Sequence, residues 1–348
     1  MKDLLPMSDT SIWLVTGNKQ GDNAQLLRIA DALELPYEMR QMIPHKEYIY
    51  GKPPFKPSLY HLDIEKSDPL TPPWPDLVLT TGRRPAMAAQ WIRKQSGNKT
   101  KVVLLGRPRK MLDEFALVIT TGQYLMPKRD NILSLDLPLM RVDTDMIDAA
   151  VRNWKPAFNA MKRPVTAVLI GGPTRPYRMD EAVISTLMAQ AARQARGGSL
   201  FISTSRRTPV AVVDYLQQHK PPDSTLYCWQ PRDSNNPYHA LLGLADHFVV
   251  TGDSLSMMVE IACLEKPLAI YRLPEHDGII ARLRWSTNRT VKKLLPGSFT
   301  GYARDLGRIH GYLLANGRAS LLGQPFVTPR GPLDDQLPLA AQRIIDLL

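Results

Sequence analysis

The feature that most narrows the fold is the stretch Asp246 to Leu273, DHFVVTGDSLSMMVEIACLEKPLAIYRL. His247 to Val250 predicts a short buried strand, Thr251-Gly252 a tight turn, Ser254 to about Leu264 a helix, and Pro267 to Tyr271 a second strand. That is one strand-helix-strand unit, the building block of α/β proteins. Asp253 or Ser254 suits the N-cap, so the first helical turn offers backbone N–H groups, the positive end of the helix dipole and the hydroxyls of Ser254 and Ser256. Such an end is suited to a phosphate. Glu260 falls on the same helical face as Ser256 and Met257, where its carboxylate can accept hydrogen bonds from a pair of ribose hydroxyls. The pattern equally describes an ordinary capped helix with a solvated glutamate.

The same rhythm recurs along the chain. Ser11 to Thr16 reads as a strand running into Gly17-Asn18-Lys19-Gln20-Gly21-Asp22-Asn23, then a helix with Ala24, Leu27, Ile29, Ala30 and Leu33 at helical spacing. This loop is neither a dinucleotide fingerprint nor an ATPase phosphate loop. Tyr37 to Ile43 alternates as a second strand. Asp76 to Thr80, Lys101 to Leu105 and Ala116 to Thr120 are further strands, delivering Thr81-Gly82-Arg83-Arg84, Gly106-Arg107 and Thr121-Gly122, with Asn131 to Leu137 as a last candidate. A helix near Thr144 to Asn159 precedes a break at Lys162-Arg163-Pro164. Val165 to Ile170 is then continuously apolar, as a sheet covered on both faces requires, and delivers Gly171-Gly172. Ser199 to Ser203 delivers Thr204-Ser205-Arg206-Arg207-Thr208, and Ser224 to Trp229 delivers Gln230. Helical spacing in Ile279 to Trp285, Tyr302 to Leu314 and Leu339 to Leu348 follows. The expected fold is α/β, with two Rossmann-like parallel-sheet domains facing a cleft. Residues 1–160 form one of these domains and 161–330 the other, with 331–348 a C-terminal helix able to cross back onto the first.

At 348 residues the chain is long enough for two cores. Forty-four Lys and Arg against 33 acidic residues leave a net charge of +11, which suits nucleic acid, an anionic membrane or a phosphorylated substrate. There is no basic groove-entering helix, zinc finger or aromatic RNA-binding signature, so nucleic acid is not expected. No apolar run approaches the ~20 residues of a membrane span, and the start MKDLLPMSDT lacks the features of a signal peptide. A cytoplasmic protein is expected. Cys228 and Cys263 sit in apolar contexts and read as core residues. The seven histidines lack ligand spacing, so no metal is expected. His45 to Tyr60 interleaves Tyr48, Ile49, Tyr50 and Phe55 with Lys46, Lys52 and Lys56. Two readings stand: a peripheral contact with the anionic inner face of a membrane, or a proline-stiffened loop packed on its own domain.

Gathering the strand ends of the second half collects Gly171, Gly172, Ser205, Arg206, Arg207, Gln230, Gly252, Ser254, Ser256, Met257 and Glu260. Glycines allow close backbone approach, and an arginine binds a diphosphate bidentately. Together these residues fit a nucleoside diphosphate held without a metal; Arg206 and Arg207 are both candidates for the phosphate. In the first half, Asp22 is an N-cap without chemistry or, if the chain is a transferase, the general base for the acceptor hydroxyl. Gly21, Arg83, Arg84 and Arg107, with Arg109, are candidates for the phosphates of an anionic acceptor.

The motifs VTGNKQGDNAQ, TTGRRPA, LLGRPR, ITTGQY, LIGGPT, STSRRTP and TGDSLSMMVEIACLEKPL resemble, in order and over most of the chain, the plant mitochondrial-fission ("elongated mitochondria") proteins and their proteobacterial relatives. That family is described as GT-B-like and as containing proposed lipopolysaccharide-core glycosyltransferases. The stretch around Glu260 more distantly resembles the donor site of the peptidoglycan-pathway N-acetylglucosaminyltransferase, and the Gly21-Asp22 loop is similar to the first loop of lipid A disaccharide synthase. The resemblance implies an inverting, metal-independent glycosyltransferase without a cofactor, moving a sugar from a nucleotide-sugar donor held by the donor domain, residues 161–330, to a lipid-linked or lipopolysaccharide-core acceptor held by the acceptor domain, residues 1–160. The alternative is a non-catalytic, membrane-associated organising protein that keeps the fold. An epimerase or dehydratase would need a dinucleotide fingerprint and a Tyr-x-x-x-Lys pair, and neither occurs in a suitable context.

Overall fold

The structure is a computed structural model and describes residues 10–49, 51, 53–108, 111–140, 142–174, 176–195, 197–275 and 305–348. The chain divides into two compact units, 1–141 with 289–304 and 335–348, and 142–288 with 305–334.

In the first unit β1 (Ile12–Thr16), β2 (Glu38–Gln41), β3 (Leu77–Thr81), β4 (Lys101–Leu105), β5 (Leu117–Thr121) and β6 (Ile132–Leu135) form one sheet in the order β2-β1-β3-β4-β5-β6. Every pairing is parallel. The chain order reverses between β1 and β3, so that is the topological switch point. Strand β1 is buried at all five positions because it feeds two cores. Ile12 and Leu14 join Leu26, Ile29 and Ala30 of α1 (Gln20–Asp31) on one face. Trp13 and Val15 meet Ala86, Ala89 and Ile92 of α2 (Arg83–Gln95) on the other. Each buried Val, Leu or Ile side chain among these contributes roughly 1.5–3 kcal/mol, so a register slip that turned β1 over would strand apolar groups on both faces.

The second unit repeats the plan. Its strands are β7 (Val165–Leu169), β8 (Ser199–Ser203), β9 (Ser224–Tyr227), β10 (His247–Thr251), β11 (Leu268–Tyr271) and β12 (Ser320–Leu321), in the order β12-β11-β10-β7-β8-β9. All are parallel, and the switch point lies between β7 and β10. Its helices are α3 (Thr144–Asn159), α4 (Glu181–Gln194), α5 (Val210–His219), α6 (Tyr238–Leu244), α7 (Leu255–Cys263) and α8 (Leu306–Ala315). The two Rossmann-like sheets are those expected.

The units divide ahead of the expected break at Lys162 to Pro164, because α3 packs on α6. A Cβ on Gly243 of α6 would stand 2.4 Å from Cγ2 of Val151 on α3. The chain also returns: α9 (Leu337–Ile345) belongs to the first unit and adds Ala340, Ala341 and Ile344 to the core around α1. The edge strand β12, two residues long, is too short to leave a periodic pattern in the sequence, and the helix expected at Ile279 to Trp285 lies outside the described residues. Cys263 is exposed and Cys228 half-buried, which corrects their reading as core residues. Position 263 ends α7 on the same solvent-facing stripe as Ser256 and Glu260. Among the described residues no helix is long and apolar enough to cross a membrane.

Candidate functional site

The carboxyl edge of the second sheet, at the switch point, brings together the ends of β7, β8 and β10. Asp253, with a side chain 0% exposed, organises it. Its Oδ2 accepts from the Gly172 N–H at 2.8 Å, from Arg207 Nη2 at 2.9 Å and from Ser254 Oγ at 3.3 Å. Thr251 Oγ1 accepts the Gly171 N–H at 2.8 Å. Thr208 Oγ1 donates toward the carbonyls of Gly171 at 2.7 Å and Ile170 at 3.1 Å. Arg207 Nη1 donates to the Gly172 carbonyl at 3.2 Å.

The two glycines are therefore required by the protein's own loops. A Cβ on Gly171 would lie 2.0 Å from Ser254 Oγ, and one on Gly172 would lie 2.1 Å from the Arg207 carbonyl. Sequence spacing assigns these glycines to close approach of a ligand; the structure corrects this, because the close approach is of the β7, β8 and β10 loops to one another, with both N–H groups already bonded. Arg207 is likewise engaged inside this network. Arg206 is exposed beside it. Gln230 is exposed past the end of β9, the outer strand on that side.

Helix α7 starts at this edge, with Ser254 as N-cap residue and no side-chain capping bond. Ser254 is buried, Ser256 exposed, Met257 and Glu260 half-buried, while Leu255, Met258, Val259, Ile261 and Ala262 are core. The face predicted from helical spacing is thus the open one. Glu260 is not free, however: the Tyr238 hydroxyl on α6 donates to its Oε2. Burial raises the Glu260 carboxyl above its ordinary value, and the tyrosine's hydrogen bond opposes that by favouring the charged form. Burial, reinforced by Glu260, holds the Tyr238 phenol well above its ordinary range.

Beneath Gly252 lies His310 of α8, 5% exposed, with Nε2–H donating to the Gly252 carbonyl at 2.7 Å. A Cβ on Gly252 would come within 2.8 Å of that ring. Burial lowers the His310 imidazole below its ordinary value; Arg272 adds to this, while the Gly252 carbonyl and the Asp305 and Asp253 carboxylates oppose it. A neutral ring suits its place under the positive end of α7. Sequence reasoning does not find Tyr238 or His310 as site residues; His310 falls within the helical stretch expected from Tyr302 to Leu314 and is not singled out there.

In the first unit Asp22 is not the N-cap of α1, which is Lys19; it lies three residues further on, in the first helical turn, and its side chain, 40% exposed, pairs with Lys19 at 3.5 Å. Gly21 is exposed, and a Cβ placed there would meet nothing within 4 Å. Arg83 and Arg84 sit at the start of α2, but their guanidinium groups hold the 45–60 loop. Arg83 Nε and Nη2 donate to the Pro53 carbonyl at 2.9 and 2.6 Å, and its guanidinium lies over Phe55. Arg84 Nη2 reaches the carbonyls of Ile49 and Gly51 at 2.6 and 3.1 Å. Phe55 packs on the core, and Tyr48 meets Tyr60 edge-on. Proline-rich backbone has carbonyls without ladder partners, and the arginines supply the donors. Arg107 lies over the Tyr124 ring at 4.7 Å. Tyr50, Lys52 and Arg109 lie outside the described residues.

These features define a two-unit Rossmann-like α/β protein whose second unit carries an uncapped helix start, a carboxylate and an exposed arginine at a topological switch point. The chain belongs to the mitochondrial fission ELM1 family, whose model matches residues 20–290. It is 25% identical over 304 residues to an uncharacterized protein of Rickettsia prowazekii (strain Madrid E), covering 77% of this chain and 85% of that one. It is 26% identical over 261 residues to the mitochondrial fission protein ELM1 of Arabidopsis thaliana, covering 68% of this chain and 59% of the plant protein's length. Among solved structures it is similar to UDP-GlcNAc 2-epimerase from Neisseria meningitidis bound to UDP-GlcNAc, with a TM-score of 0.47, 13% identity and coverage of 97% and 99% of the two chains. The Methanocaldococcus jannaschii UDP-GlcNAc 2-epimerase gives a TM-score of 0.49 and 10% identity at 97% and 99% coverage. Neither likeness bears on the reaction.

Proposed function

We propose that the second unit binds the diphosphate and ribose of a nucleotide sugar at the head of α7, and that the protein moves the sugar, with inversion and without a metal, to an anionic lipid-linked or lipopolysaccharide-core acceptor. The observation that carries this reading is the start of α7: no side chain caps it, it stands at the switch point where open α/β sheets bind ligands, and Glu260 shares its open face with Ser256. Arg206 is given the phosphate contact, since Arg207 is held by Asp253 and Gly172. An acceptor hydroxyl oxygen attacks the anomeric carbon as the bond to the diphosphate breaks and its electron pair leaves with the phosphate. Arg206 and the α7 dipole offset the leaving charge. The hydroxyl's proton goes to Asp22 in this scheme.

A second reading is a non-catalytic, membrane-associated organising protein that keeps the fold. What favours it is that Arg207, Arg83 and Arg84 are all engaged within the protein, and that Ile49 and Tyr60 are each 38% exposed on a loop with Lys46 and Lys56. The test is a thermal-shift screen of nucleoside diphosphates and nucleotide sugars in EDTA, on the native protein and Glu260→Ala. A ligand at ~100 times its Kd stabilises by roughly 2.7 kcal/mol. Binding lost in Glu260→Ala, together with sugar transfer to an acceptor, is expected. Binding without transfer favours the organising protein, and no binding by any nucleotide removes the transferase reading and leaves the organising protein in first place.

A further inference from the structure

Glu260 and Tyr238 come from different helices and meet over a half-buried contact, with Tyr238 Oη donating to Glu260 Oε2. The tyrosine is firmly placed. Its backbone N–H donates to Asn236 Oδ1 at 3.0 Å, and Ala240, Leu241 and Leu242 of the same helix are core. Glu260 lies on the open stripe of α7, whose other faces are buried. A glutamate at a helix surface ordinarily samples many rotamers, whereas pinning one oxygen on a rigid phenol fixes the direction in which the other, Oε1, accepts.

We propose that Tyr238 is a positioning residue that fixes the Glu260 carboxylate to receive a vicinal pair of sugar hydroxyls, so that the site selects ribonucleotides over 2′-deoxyribonucleotides. This rests on the nucleotide-sugar reading above. The chemistry is specific to a diol: an ionised carboxylate is acceptor only, so it rewards two O–H donors and gains nothing from a ring lacking one. Two influences act on the Glu260 charge. Burial favours the neutral acid, which would donate as well as accept, and the phenol counters it. The phenol itself stays protonated across the working range, so its donor role is constant. Among the described residues the other titratable ring beside the pair is His239, 5.5 Å from the Tyr238 ring.

Calorimetric titration of UDP, ADP and GDP, each with its 2′-deoxy counterpart, into the native protein, Tyr238→Phe and Glu260→Gln tests this. The native protein is expected to prefer the ribo form of the nucleotide it binds by about tenfold, and both variants to lose most of that preference while the deoxy form changes by no more than about twofold. With ¹³C-labelled glutamate, the Glu260 carboxyl should titrate at a higher pH in Tyr238→Phe than in the native protein. Native binding that ignores the 2′-hydroxyl refutes the proposal and leaves the nucleotide reading standing. So does a folded Tyr238→Phe that keeps both preference and titration midpoint, and if that variant does not fold, preference retained by Glu260→Gln has the same force. No binding of any nucleotide removes the reading and the proposal together.

Discussion

Replacing Arg207 by alanine separates a structural arginine from a ligand-binding one. Asp253 is wholly buried, and Arg207 is its cationic partner at 2.9 Å. Removing one member of a fully buried ion pair costs about 3–5 kcal/mol, because the other charge is left unpaired. Arg207 is not fully buried: its side chain is 47% exposed, so water can take up part of its place. The Gly172 N–H and Ser254 Oγ also stay on the carboxylate. Discounting for both gives about 2 kcal/mol. In a unit of this size that lowers Tm by roughly 4–8 °C. Arg206→Ala, one residue away and exposed, should change stability by less than about 0.5 kcal/mol. Urea titration followed by tryptophan fluorescence reads the difference, since Trp154 and Trp229 report on the second unit and Trp13, Trp74 and Trp91 on the first. Equal stabilities for the two alanine variants would refute the assignment of Arg207 to the loop network.

Other expectations concern both units. His61 is 0% exposed, with Nε2–H on the Arg84 carbonyl, and burial lowers its imidazole from 6.5 to about 4. The unfolded chain therefore takes up a proton near 6.5 that the folded chain refuses until about 4, so stability falls as pH drops through that window, by about 3 kcal/mol in total. Denaturant midpoints of His61→Phe should show a flatter acid limb, and an unchanged limb would count against this. Gly171→Ala should cost about 2 kcal/mol or more through the clash with Ser254 and Asp253. Gly21→Ala, with open space at its Cβ inside α1, should stabilise by about 0.5–1 kcal/mol; calorimetric melting compares the two. Arg83→Ala with Arg84→Ala removes the donors holding the carbonyls of Ile49, Gly51 and Pro53, and limited proteolysis should then cut the 49–55 segment faster, while cutting at the native rate would show the loop held by its aromatic packing alone.

Much of the fold is legible because of double-sided burial. A strand such as Val165 to Leu169 that is apolar on both parities has one home, a covered parallel sheet, and the polar residues following it mark the carboxyl edge. The open face of α7 is legible for the same kind of reason. What cannot be read is partnership across the chain. Amphipathic α3 announces that one face is covered but not by what, so its packing on α6 is hidden. Arg206 and Arg207 are neighbours of identical type, and what distinguishes them is the buried carboxylate of Asp253, 46 residues on, together with the Gly172 carbonyl. Glu260 and Tyr238 are 22 residues apart with no periodic relation, and the strand-end arginines of α2 look like ligand groups until the proline-rich loop beneath them is in view.

The return of α9 bears on how the protein is made. The first unit's core includes Ala340, Ala341 and Ile344, yet the whole of the second unit is translated before them. On the ribosome the second unit can close while the first still exposes Leu26, Ile29 and Leu33 along the seat of that helix. Pulse proteolysis of stalled nascent chains should find the first unit cleavable until residue 345 has emerged; protection at residue 141 would show otherwise. The half of the molecule that is synthesised first is thus the last to be finished, and a premature stop anywhere in the final helix damages the opposite end of the chain.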